Sequence, residues 1–144
     1  MILRYKKAFD GKADAIITDA YIFPNFKSGE LPSMKYYTPT AAWDTGAEHS
    51  SISMEVVKAL QLKPKRKESV MVLGGVQQVC VYEVAFGLPN GKLYHNVEVF
   101  GAELEEYAAL IGMDIITEMD FVITNDNSRT TFQFRTPSEG GIEI

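Results

Sequence analysis

Ala41-Ala42-Trp43-Asp44-Thr45-Gly46-Ala47-Glu48-His49-Ser50-Ser51-Ile52-Ser53 is where the chain changes character: an apolar run stops at a carboxylate and a polar turn. Ala41, Ala42 and Trp43 read as the end of a strand, so Asp44 is presented at a strand terminus. Gly46 lets a backbone come close, and Ala47 is small enough to leave the space beside the carboxylate open. A plain turn accounts for the same residues, with Asp44 capping its own backbone and Gly46 supplying a positive φ. His49 and Ser50 invite a triad reading, but the members of a nucleophilic triad converge from separated segments, and neighbours in one loop do not align that way.

Outward from this stretch, Met54 to Leu62 places Val56, Val57 and Leu60 at helical spacing, with Ser53 to cap the first turn and Glu55 suited to its positive end. The rest is a succession of short strand signals punctuated by Gly, Pro, Asn and Asp. Ala15 to Phe23 and Thr38 to Trp43 are strands joined by a loop. Ser69 to Leu73 and Val79 to Phe86 flank Gly74-Gly75-Val76-Gln77-Gln78, the turn of a hairpin. Leu93 to Phe100 follows the turn Pro89-Asn90-Gly91, and Phe121 to Thr124 pairs with Thr130 to Arg135 around Asn125-Asp126-Asn127-Ser128. Asp114 to Met119 reads as a second helical turn, with Ile115 and Ile116 covering the sheet. The pattern predicts a mainly β fold and one domain over 1–144, its core at about 13–136 and an aperiodic, flexible tail at 137–144.

Three features in order carry a resemblance. The Ala41 to Ser53 stretch resembles the active-site segment of retropepsin-like aspartic proteases. Leu73-Gly74-Gly75-Val76 resembles the family's glycine-containing flap tip, and Leu110-Ile111-Gly112-Met113-Asp114-Ile115-Ile116 resembles its second signature, two apolar residues and a glycine leading into a short helix. The helix at Met54 to Leu62 is similar to that of cellular and transposon-type members. The resemblance covers roughly Thr38 to Arg135. Trp43 stands where the family usually has a smaller aliphatic residue, Glu48 where retroviral members often have Asp, and Met113 where many have arginine.

What the resemblance implies is a closed β-barrel of the acid protease fold, with one or two short helices, pairing into a two-fold homodimer. It implies an aspartic endopeptidase in which Asp44, Thr45 and Gly46 form the catalytic loop, with Thr45 hydrogen-bonding across the dyad. Ala47, Glu48, Gly74, Gly75 and Val76 would contact substrate, and Leu110, Ile111 and Gly112 would pack beneath the loop. The chemistry is coherent: hydrolysis by water needs a base and an acid, and two close carboxylates sharing one proton supply both, because like charges so near cannot both ionise cheaply. A glycine hairpin closing over an extended peptide would add the substrate as a strand and exclude water. The alternative is a catalytically inactive peptide-binding or dimerisation module on the same fold.

Composition narrows the remaining classes. A chain of 144 residues, 46% hydrophobic and 23% charged, is ordinary for a globular domain, and no apolar run approaches the roughly 20 residues of a membrane span. The net charge of −5 argues against a nucleic-acid partner, and the basic run Lys63-Pro64-Lys65-Arg66-Lys67 reads as a solvated loop. No signal-peptide core is visible among the first 25 residues, so the expected location is cytoplasmic. With one cysteine and two histidines, neither a disulfide nor a zinc-type ligand set is expected, no cofactor is called for, and Cys80 reads as a small buried hydrophobe. The expected partners are a second copy of the chain and a peptide or protein substrate, with no membrane and no nucleic acid.

Overall fold

The computed structural model describes residues 1–143; Ile144, the last residue of the expected tail, lies outside the described residues. Alternation builds the strands. In β2 (Ile17–Pro24), Thr18, Ala20 and Ile22 point inward while their neighbours are half-exposed. β2 pairs antiparallel with β3 (Tyr36–Trp43), whose end pairs in parallel with β8 (Ala109–Ile111). From β8 the order runs through β4 (Ser51–Ser53), β7 (Leu93–Ala102) and β6 (Gly75–Gly87) to β5 (Arg66–Val72). β6 pairs again with β2, so the hydrogen-bonded order returns on itself and leaves β5 attached at one side.

A second sheet of three strands has the order β1-β10-β9, from β1 (Leu3–Ala8), β9 (Asp120–Asp126) and β10 (Arg129–Thr136). β1 precedes the core expected at about 13–136 and was not legible, because its half-buried and exposed residues alternate over a lysine-rich hexamer. It earns its place by register, Leu3 opposite Thr136 through Ala8 opposite Thr131. The β9–β10 turn is a two-residue connection, Asn127-Ser128, with φ of 50° and 61°; positive φ at both central residues matches the right-handed twist of the flanking strands.

The sheets meet on an aromatic cluster. The Trp43 ring lies 5.0 Å from Phe132, 5.1 Å from Phe134 and 6.4 Å from Phe121, while its Nε1–H donates to Thr18 Oγ1 at 2.9 Å. This is the physical reason for an indole at the position noted above: it bridges β2, β3 and the second sheet. Phe86, Ile22, Ile52, Val84, Val99 and Ile111 complete the centre of the core, all fully buried.

Several expectations are corrected. α1 spans Met54–Ala59, three residues shorter than expected, because Gln61 turns to a φ of 54° and stops the helix, although Leu60 stays buried. Ser53 does cap it, accepting from the Val56 amide at 3.3 Å. α2 is Met113–Ile116, beginning one residue earlier and ending sooner than expected, with Ile115 and Ile116 buried. The hairpin turn is Leu73-Gly74 alone: pairing resumes at Gly75 opposite Val72, so Val76, Gln77 and Gln78 are strand. Gly74, with a φ of 98°, supplies the one left-handed residue that the two-residue connection uses.

The basic run is no free loop, since β5 begins at Arg66, and Lys65 and Arg66 are ion-paired. Cys80 is half-buried against the core rather than within it. Residues 138–143 have no regular structure and are hydrogen-bonded to the second sheet: Ser138 Oγ and the Glu139 amide donate to Asp120 at 2.7 and 2.8 Å, and Arg135 donates to Asp120 and to the Gly141 carbonyl.

Candidate active site

Asp44 follows β3 directly, at the point where its parallel pairing with β8 ends. The Trp43–Ile111 register carries over into a hydrogen bond from the Asp44 amide to the Ile111 carbonyl at 2.8 Å. The loop then closes on itself. The Ala47 amide donates to the Asp44 carbonyl at 3.2 Å and the Gly46 amide donates to Asp44 Oδ1 at 2.9 Å. One carboxylate oxygen of Asp44 is therefore fixed by its own turn. Asp44 is half-exposed, and Thr45 and Gly46 are exposed, so the carboxylate stands on an open face of the chain.

Gly46 does not take the positive φ that a plain turn would use. Its lack of a side chain matters for a different reason, since a Cβ there would stand 3.2 Å from Asp44 Oδ1. Gly112 is tighter still. A Cβ at Gly112 would meet the Ala47 carbonyl oxygen at 2.8 Å and the His49 backbone at 2.9 Å, so only glycine lets the second signature lie against the back of the loop. Beyond Gly112, the Met113 and Asp114 amides donate to the Ala47 and Glu48 carbonyls at 2.8 and 3.2 Å. Ile111 is fully buried and Leu110 half-buried, and Ile111 and Gly112 lie directly against the Asp44 loop.

Two residues of this unit were missed by sequence reasoning. Ser50 is fully buried. Its hydroxyl donates to Asp114 Oδ1 at 2.7 Å and accepts from the Gly112 amide at 2.9 Å, and its own amide donates to Asp114 Oδ2 at 2.9 Å. The signal for the pair was slight: a serine at the loop's end and an aspartate at a helix start are each common in unrelated roles. His49 is exposed, its ring 4.9 Å from that of Phe100.

Gly74, Gly75 and Val76 stand at the tip of the β5–β6 hairpin, where Leu73, Val76 and Met71 are among the most exposed large apolar side chains. Among the described residues, no hydrogen bond links that tip to the Asp44 loop. Nor, among the described residues, does any group of three or more His, Cys, Asp and Glu side chains stand together as a metal site would require, and no helix among them is long and apolar enough to cross a membrane.

No protein-family model matches the chain, and no curated protein matches it. Among solved structures, the crystal structure of a retropepsin-like aspartic protease from Rickettsia conorii is similar, with a TM-score of 0.55 at 12% identity, covering 94% of this chain and 96% of that one. The fold is therefore retropepsin-like and mainly β with two short helices.

Proposed function

We propose that this protein is an aspartic endopeptidase that works as a homodimer, each copy contributing Asp44. The observation that carries the reading is the placement of Asp44: a half-exposed carboxylate at a strand end, with its backbone pinned by Ile111 and one oxygen pinned by Gly46. The retropepsin-like fold supports it, and the circuit of strand pairings supports the closed-barrel form of that fold. Across the two-fold axis the Asp44 carboxylates share one proton. The charged member removes a proton from water while the protonated member donates to the peptide carbonyl oxygen, and no covalent intermediate forms. Thr45 bonds across the dyad. The β5–β6 hairpin, led by Gly74, Gly75 and Val76, covers an extended peptide whose backbone also meets Ala47 and Glu48.

Cleavage of a mixed peptide library from acid to neutral pH, wild type beside Asp44→Asn at equal concentration, tests this. Cleavage by wild type alone is expected. Equal cleavage by both proteins, or peptide binding by wild type without turnover, refutes it.

A further inference from the structure

The β5–β6 hairpin is supported along only part of its length. The last pairing of β7 with β6 is Phe100 opposite Val81, and β5 pairs with β6 alone. From Lys67 and Cys80 outward to Leu73, the chain is therefore a two-stranded ribbon with no third strand beside it. Six residues a side reach about 20 Å. A two-stranded ribbon has little stability of its own, and this one ends in exposed Met71, Val72, Leu73 and Val76. How far it departs from the body is decided at its root.

Five charged side chains meet at that root. Glu83 and Glu98 are direct cross-strand partners on β6 and β7, a like-charge pair that repels. Lys65 Nζ stands 2.9 Å from each, so one cation bridges the two carboxylates. Arg66, the first residue of β5, grips Glu98 with two parallel bonds, Nη1 to Oε2 at 2.9 Å and Nη2 to Oε1 at 2.7 Å, and also holds Glu68. The cations thus come from the start of β5 and the residue just before it, and Glu98 from the body, so the tie reaches over the intervening β6. Arg66 opposes Val81, the residue at which the pairing of β6 with β7 ends, so the cluster sits at the step where support stops.

We infer that Lys65, Arg66, Glu68, Glu83 and Glu98 form an ionic brace at the root of the Lys67–Cys80 ribbon, which fixes its angle to the body and loosens as salt rises. Arg66 and Lys65 hold the Glu98 carboxyl well below the usual carboxylate range, so near neutrality Glu98 stays charged and gripped. Salt acts far sooner, because the five groups are solvent-exposed or nearly so. The brace does not depend on the peptidase reading.

Amide hydrogen exchange of the intact protein at about 0.05 M and about 1 M NaCl, where the Debye length falls to about 3 Å, tests the brace. Amides between Lys67 and Cys80 are expected to exchange about three- to tenfold faster in Glu98→Gln than in wild type at low salt. Wild type at high salt should match the variant, the variant should ignore salt, and amides of β2, β3 and β10 should be unchanged in all arms. Exchanging the partners, Arg66→Glu with Glu98→Arg, should restore the slow rate. Ribbon exchange in wild type that is indifferent to salt overturns the inference without recourse to any variant. So does acceleration in Glu98→Gln that spreads equally through β2, β3 and β10.

Discussion

Asp114 holds Ser50 with both carboxylate oxygens, one on the hydroxyl at 2.7 Å and the other on the backbone amide at 2.9 Å. Because the same hydroxyl accepts from the Gly112 amide, three bonds join the end of the Asp44 loop to the start of α2. The two signatures, more than sixty residues apart in the chain, thereby act as one rigid unit behind the carboxylate.

Ser50→Ala should therefore cost more than an average polar deletion. It strands the buried Gly112 amide, while Asp114 Oδ1 keeps the Ile115 amide, and leaving a buried donor unpaired costs about 1–3 kcal/mol. Urea unfolding is the check, and Ser50→Thr, which keeps the hydroxyl, should recover most of the loss. Unchanged stability in Ser50→Ala would show that water replaces the hydroxyl without penalty.

The two glycines of the unit should respond differently. Gly112→Ala drives a Cβ against backbone at 2.8–2.9 Å, with no flexible side chain to yield, and should destabilise by about 2–3 kcal/mol. Gly46→Ala meets only the Asp44 carboxylate at 3.2 Å. Its effect on unfolding should be smaller, while any Asp44-dependent cleavage should fall sharply, because the displaced group is the carboxylate proposed to act on water. Equal unfolding penalties for the two variants would contradict this division.

Trp43 is the single tryptophan, and its fluorescence reports the join between the sheets. Trp43→Ala removes the ring from its cluster and should cost about 3–5 kcal/mol. Trp43→Phe keeps ring packing and gives up the bond to Thr18, so about 1–2 kcal/mol is expected for that change, measured by denaturant unfolding followed by circular dichroism.

The expected positions of most strands were legible because a half-buried strand alternates with period two and its turns need Gly, Asn or Pro. The position of Asp44 at a strand end was legible because an apolar strand runs straight into it. The β4 and β8 strands are three residues each and buried between neighbours, too short to show any period; β8 was visible only as the Leu110-Ile111-Gly112 signature. β1 was hidden by its lysines, and the Ser50–Asp114 clasp by the sequence distance across which it forms. The turn at Gly74 was placed in the right neighbourhood but drawn too wide, because polar Gln77 and Gln78 look like loop residues when they are the exposed end of a ribbon.

The tail should be pH-sensitive in one direction. Asp120 accepts from the Glu139 amide, Ser138 and Arg135, and these bonds hold its carboxyl below the usual range. A carboxylate depressed in the folded state stabilises above its unfolded pKa, and that contribution is lost as pH falls through the folded value. The Ser138–Gly141 amides should thus exchange slowly near neutrality and open as acid titrates Asp120. Asp120→Asn should show the open behaviour at neutral pH, whereas exchange in that variant identical to wild type would show that the tail is held by other contacts.

The central claim is that two copies of Asp44 form one catalytic pair, and mixing subunits tests it most directly. Wild type and Asp44→Asn are combined at constant total concentration, allowed to exchange partners, and assayed for peptide cleavage. If each active site needs Asp44 from both chains, only wild-type pairs cleave, and an equal mixture should retain about one quarter of the wild-type activity. Activity that falls in simple proportion to the wild-type fraction, about one half for the equal mixture, would mean that each chain acts alone and would contradict the account.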